Sequence, residues 1–192
     1  MYRQSSDLRF VRSRNSLQRA FIDITLEKRS TNIAVKELTD RAGVNRMTFY
    51  SHYDEVSDIL REFIDDVAAR IMSAMQVDGG VNEGGSEVRT LLIAATSAMQ
   101  DEMEFYRLVA SDGKFELYRT QFRKTFAILF RNQLVRSERH EGAELELTAG
   151  MIASAVTYAY LDWLSGKYGD LSINDLVFLC EKFVSAQIQA VE

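Results

Sequence analysis

Three observations predict an all-α protein of about nine helices. Apolar residues recur at helical spacing along most of the 192 residues. No stretch alternates with period two, and no segment repeats. Proline is absent, and nine of the ten glycines fall where the apolar pattern breaks, which makes glycine the terminator of the helices. Only Gly150 lies inside a periodic segment, where a missing side chain permits close helix packing.

Leu17, Ala20, Phe21 and Ile24 step i, i+3, i+4, i+7 and predict a first helix over about 13–28. Ser30, Thr31 and Asn32 break it. Val35, Leu38 and Ala42 line one face of a short second helix that Gly43 ends. A third helix runs from about Asn45 to His52. The strongest periodicity follows, from Ile59 and Leu60 through Phe63, Val67 and Ile71 to Met75, with Asp54 and Glu55 favouring the N-terminus of a helix over 54–76. Residues 78–86, rich in glycine, read as a linker. Helices over about 87–103, through Ala110, 118–137, 145–165 and 172–190 complete the chain, with a polar stretch at 138–144.

Composition narrows the function. Residues 1–53 hold ten Lys/Arg against five Asp/Glu, and the remaining 139 hold 13 against 23. A basic head on an acidic body suits a polyanion-binding end, or a chance clustering on a solvated face. The overall net charge of −5 argues against a protein that coats nucleic acid along its whole surface. One cysteine, Cys180, excludes an internal disulfide framework, and two histidines make a metal centre improbable, so no cofactor or metal is expected. The N-terminus lacks the apolar core of a signal peptide, and the most apolar stretch, 149–164, is too short and too polar to span a bilayer. A cytoplasmic protein is expected, with no membrane partner.

Enzyme signatures are absent from the sequence. The stretch 79–86 lacks the Gly-Lys-Ser/Thr ending of a phosphate loop, and there is no Gly-x-Ser-x-Gly elbow. Cys180 sits in an apolar run and reads as core. His140 lies in a polar loop, and Asp101, Glu102 and Glu104 read as a solvated face.

The informative segment is Ile33 to Tyr53. Two short helices flank Gly43, with Ala42 before it and Val44 after it. A small residue lets the helices approach, the glycine permits a left-handed turn, and the valine fills their junction, which is the logic of a helix-turn-helix. Phe49 and Tyr53 are i, i+4 and face inward. That leaves Asn45, Arg46, Met47, Thr48, Tyr50, Ser51 and His52 for an outward face of a chemistry suited to base edges and phosphates.

The run Asp40-Arg-Ala-Gly-Val-Asn-Arg-Met-Thr-Phe-Tyr-Ser-His-Tyr53 resembles the recognition motif of TetR-like transcriptional regulators. Ser16 to Phe21 and Glu27-Lys28 also resemble the family's first helix, so the detailed likeness covers about residues 12–65. The C-terminal part is most similar to the branch containing the dihydroxyacetone-kinase regulator. The resemblance implies a DNA-binding head at 1–53 and a ligand-binding and dimerisation domain at 54–192. Asn45, Arg46 and Met47 would enter the major groove of a near-palindromic duplex. Thr48, Tyr50, Ser51 and His52 would meet base edges and phosphates, and Lys36 the backbone, with Arg9, Arg12 and Arg14 extending the footprint. Each contact has a plainer reading beside it: a half-exposed histidine, a ring packed on the first helix, a methionine covering the helix. Two positions depart from the family pattern: Ala34 where a Thr or Ser caps the second helix, and Val56 where a Lys begins the fourth.

In the body, Tyr106, Phe122, Phe126, Tyr158 and Trp163 form an aromatic set that reads as core. The resemblance makes it equally the wall of a pocket for an unidentified small-molecule effector. The resemblance also implies a homodimer through the helices at 145–165 and 172–190, and repression relieved when ligand changes the tilt of the fourth helix. The rival is a helical small-molecule carrier or enzyme whose head no longer binds DNA.

Overall fold

A computed structural model of the protein describes residues 3–77, 87–137 and 143–189. The expected linker at 78–86 and His140 lie outside the described residues. The described residues form nine α-helices and no strand: α1 (Arg3–Lys28), α2 (Val35–Ala42), α3 (Arg46–Tyr50), α4 (Ser57–Val77), α5 (Glu87–Ala98), α6 (Met103–Ser111), α7 (Glu116–Ser137), α8 (Ala143–Leu164) and α9 (Ile173–Gln189). None of these helices is long and apolar enough to cross a membrane.

The chain divides into two compact units, Met1–Phe63 and Ile64–Glu192. In the first, α1 packs on α2 and α2 on α3. Leu17, Phe21 and Ile24 of α1, Leu38 of α2, Phe49 of α3 and Ile59 of α4 are completely buried. Their burial follows the i, i+4, i+7 spacing and supplies most of this unit's cohesion, at about 1.5–3 kcal/mol per side chain. The first turns of α4 belong to this core: the Phe63 ring lies 6.3 Å from that of Phe21, in a stacked arrangement. The compact unit therefore extends ten residues beyond the head expected at 1–53.

Three boundaries differ from the periodicity. α1 begins at Arg3 rather than about 13, because its first turns hold no glycine and nothing breaks the helix. Leu8, Phe10 and Val11 there are 58, 46 and 45% exposed, so no apolar stripe announces these turns. α4 begins at Ser57 rather than 54. The Asp58 carboxylate accepts the backbone N–H groups of Asp54 and Glu55, at 3.1 and 2.9 Å, and folds residues 54–57 into a turn. The expected helix over 87–103 is split at Met99 by a single 3₁₀ turn, Gln100–Glu102, before α6.

The end of α1 is fastened to α2 by charge. Lys28 Nζ lies 2.6 Å from Glu37, and Arg41 donates two 2.8 Å bonds to Glu27. The Arg41 guanidinium holds the Glu27 carboxyl below its ordinary range. Both pairs are exposed, so they orient the helices more than they stabilise them.

In the second unit α7 and α8 make the most extensive pairing. α5 packs on α9 and α7, and α6 on α8. A file of rings runs through it: Phe122 and Phe126 stack at 4.4 Å, Phe126 and Tyr160 at 5.8 Å, and Tyr160 lies 5.7 Å from Trp163. Thr96 Oγ1 donates to the Leu92 carbonyl at 2.8 Å and lies 3.2 Å from the buried Tyr160 hydroxyl, which is left to donate to it. Trp163 Nε1 donates to the Leu171 carbonyl at 2.7 Å and secures the α8–α9 connection. Ser172 and Asp175 cap α9 reciprocally, at 3.1 and 3.2 Å. Among the described residues, a side chain at Gly150 would meet nothing within 4 Å.

Candidate nucleic-acid interface

The turn between α2 and α3 is built on Gly43. Its φ of +67° lies in the left-handed region, where a side chain is strained, and the next amide, of Val44, returns to the Thr39 carbonyl at 3.1 Å. Asn45 then opens α3. Its Oδ1 accepts the Thr48 N–H at 2.7 Å and the Thr48 hydroxyl at 3.0 Å. Phe49 is fully buried and Tyr53 is 7% exposed, as their spacing requires.

The residues singled out for DNA divide into two groups. Arg46, Met47 and Tyr50 form an outward strip on α3; Met47 is 83% and Tyr50 57% exposed. Lys36 also points to solvent, 3.4 Å from the equally open Asp40. The second group already has partners within the head. Asn45 and Thr48 bond each other as above, and the Ser51 hydroxyl donates to the Thr48 carbonyl at 2.7 Å. His52 is half-buried, with Nε2 2.8 Å from Ser13 Oγ and its ring 4.0 Å from that of Phe10. Burial, seconded by Arg14 and opposed by Glu62, keeps the imidazole below the usual histidine range. The side chains of Thr48, Ser51 and His52 thus have hydrogen-bond partners within the head. Arg14 is also engaged within the head, its Nε 2.6 Å from Glu62. Ala34, at the extended N-cap of α2, provides no side-chain cap.

Spacing did not single out Glu62. Its Oε1 is ion-paired with Arg14, and its Oε2 accepts from Gln18 Nε2 at 3.0 Å and from the Tyr53 hydroxyl at 2.5 Å. The only sequence signal is a glutamate inside an apolar run, one residue before Phe63.

Of the expected effector-pocket residues, Tyr106, Phe122 and Phe126 are buried, and Trp163 is half-buried at the end of the ring file. Burial raises the Tyr106 hydroxyl above its ordinary range. Tyr158 does not join them: it is 55% exposed, with Arg123 donating to its hydroxyl at 2.8 Å and lying over its ring. Tyr160, two residues on, occupies the buried position instead. On α8 and α9, Met151, Phe178, Leu179 and Phe183 are 65, 57, 53 and 42% exposed. Between these helices lies an apolar cleft of about 350 Å³ lined by Ala155, Ala159, Leu176, Leu179 and Phe183 among others. Among the described residues no group of three His, Cys, Asp or Glu could hold a metal ion.

No family model matches the chain. Two curated relatives are similar to it. One is the HTH-type transcriptional regulator YxbF of Bacillus subtilis, 31% identical over 98 residues, which are 48% of this chain and 26% of that protein. The other is an HTH-type transcriptional regulator of Haemophilus influenzae, 23% identical over 53% of this chain and 51% of that protein. The matched region thus spans about a quarter and about half the length of these relatives. Solved structures align over almost the whole chain. A protein of Syntrophomonas wolfei described as a TetR-family transcriptional regulator gives a TM-score of 0.67 at 17% identity, covering 92% of this chain and 95% of that one. NalD of Pseudomonas aeruginosa, described as the secondary repressor of the MexAB-OprM multidrug efflux pump, gives 0.57 at 16% identity, covering 92% and 96%. A transcriptional regulator of Rhodococcus gives 0.54 at 17%, covering the same shares. With its helix-turn-helix in the first unit and six helices, α4 to α9, reaching through the second, the chain has the fold of the TetR-family transcriptional regulators.

Proposed function

We propose that this protein is a sequence-specific DNA-binding regulator of transcription. It acts in the cytoplasm as a homodimer, and a small-molecule effector releases it from a near-palindromic operator. One observation carries the reading: the helix-turn-helix turns an exposed strip of Arg46, Met47 and Tyr50 outward from a net-basic head. Arg46 offers the bidentate donor fork that guanine accepts, and Met47 an apolar contact for a base edge. Tyr50 and Lys36 reach phosphates. Asn45, Thr48 and Ser51 set the start and pitch of α3, and His52 braces it against α1.

The functional division follows residues 1–53 as the head and 54–192 as the effector and dimerisation domain. Tyr106, Phe122, Phe126 and Trp163 suit an effector with apolar or aromatic surface, and their hydroxyl and indole groups give it orientation. Tyr158 leaves this set because it faces solvent. The effector prefers the dimer whose heads no longer match two half-sites about 34–36 Å apart, and a coupling of a few kcal/mol suffices. Repression is the default sign, in keeping with the description of NalD.

Selection of bound sequences from a random duplex pool at physiological salt tests this. The expected result is an enriched near-palindrome, and a repeat with Arg46→Ala that is less selective at one base pair per half-site, by about 1–3 kcal/mol. A folded dimer that enriches nothing would overturn the reading in favour of the carrier.

A further inference from the structure

The half-site contacts need α3 held at a fixed angle, yet α3 is five residues long and cannot hold itself. We propose that Glu62 is the positioning residue of the recognition helix, fastening both α1 and the end of α3 to α4. This rests on the DNA-binding reading above.

One ion pair and two hydrogen bonds converge on one carboxylate from two directions. Arg14 and Gln18 come from α1, and Tyr53 comes from the segment that closes α3. Tyr53 is itself locked to the helix: its amide and that of His52 both return to the Phe49 carbonyl, at 3.0 and 2.9 Å. A displacement of Glu62 is thus passed through Tyr53 to Phe49, whose buried ring is the inner side of the strip carrying Arg46, Met47 and Tyr50. One residue before Arg14, Ser13 meets His52. The recognition helix is therefore braced by α1 through His52 and by α4 through Tyr53, and Glu62 joins the two braces.

The site demands a carboxylate of this length. Oε1 faces Arg14 at ion-pair distance, while Oε2 accepts from Gln18 and Tyr53, so the site uses both oxygens and the charge. Glutamine replaces one acceptor with a donor, so it either turns that donor on Arg14, which has no acceptor, or reverses the bond with Tyr53 and removes the negative charge that Arg14 pairs with. Aspartate is one methylene short and cannot reach both helices. Burial and the neighbouring carboxylate push the Tyr53 hydroxyl above its ordinary range, which keeps it a donor at every physiological pH. Glu62 is itself only 25% exposed, and its removal takes away the ion pair that ties Arg14 of α1 to α4.

The test uses the full-length chain and the duplex recovered by selection, with anisotropy titrations of Glu62→Gln, Glu62→Ala and Tyr53→Phe over a range of salt. Binding to the selected site should weaken about tenfold or more in both Glu62 variants and about threefold in Tyr53→Phe. The slope of log K against log salt should stay unchanged, because no phosphate contact is removed. The deciding quantity is the ratio of affinities for the selected duplex and for one altered at a single base pair. Simple loss of stability lowers the active fraction for every duplex alike and leaves that ratio intact, whereas a misaligned α3 compresses it. If Glu62→Ala does not fold, Glu62→Gln and Tyr53→Phe carry the test. Wild-type protein that discriminates, beside a Glu62→Gln that discriminates equally well, overturns this proposal alone. Wild-type protein that fails to discriminate overturns the DNA-binding reading and the proposal with it.

Discussion

His52 shows how a residue chosen for one task is held by another. Its position beside Tyr50 and Ser51 suggests a phosphate contact, but its ring lies between Phe10 and the Ser13 hydroxyl. The partner comes from 39 residues away on α1, which helical spacing cannot foresee. Arg46, Met47 and Tyr50 were legible for the opposite reason: Phe49 and Tyr53, four apart, name the inner side of the helix and leave these outside. The imidazole gives a pH dependence of definite sign. Its folded value lies below the ordinary 6.5, chiefly through burial, so the unfolded chain binds the proton more readily. The neutral form's contribution is present above the unfolded value and is lost as the pH falls below it. Carboxylates such as Glu27 also destabilise the fold on acidification, so the comparison must be with a variant. Between pH 7.5 and 5 the urea midpoint of wild type should fall further than that of His52→Gln. Equal falls would show that His52 does not titrate against folding.

At the scale of elements, the helices whose buried side could be read were those with one apolar face. α1 from Leu17 onward, α2 and α4 all present such a stripe. The first turns of α1 do not, since Leu8, Phe10 and Val11 are all exposed, and α8 does not, because apolar residues surround it. Hence the aromatic set read from the sequence includes Tyr158, while Tyr160 holds the buried place: two residues along a helix turn the side chain through slightly more than half a turn. The start of α2 offers a direct measurement. Ala34 has extended backbone angles, φ −73° and ψ 142°, suited to an N-cap, but no oxygen to offer the first amides. Ala34 is exposed, so a small hydroxyl meets no obstruction. Ala34→Ser should stabilise the head by about 1 kcal/mol, visible as a higher urea midpoint with unchanged m-value. It should leave the selected DNA sequence as in wild type. A midpoint that stays put would mean that the α2 amides are satisfied without a cap.

For the whole molecule, the open question is what covers the apolar outer face of α8 and α9. Met151, Ala155 and Tyr158 lie at i, i+4, i+7 on α8, and Leu179 and Phe183 at i, i+4 on α9, all at least partly open to solvent. Such a face is far from what the surface of a soluble monomer usually presents. It suits an isologous contact in which the same two helices of a second copy pack against it, as the homodimer proposed above requires. Stable pairs bury about 1,200–2,000 Å², within reach of two helices of 22 and 17 residues. Leu179 and Phe183 are 53 and 42% exposed in the single chain, so charging them spares the core beneath. Leu179→Asp with Phe183→Asp should therefore leave helix content intact and convert the protein to a monomer by sedimentation. Thermal unfolding should then lose its dependence on protein concentration. Binding to the selected palindrome should drop by about 10²–10⁴, because two tethered heads become two independent ones. Binding to a single half-site should stay at the wild-type level. A double variant that still sediments as a dimer would place the interface on another face. One that is monomeric yet binds the palindrome at wild-type strength would show that pairing through these helices is not what brings two heads to one operator.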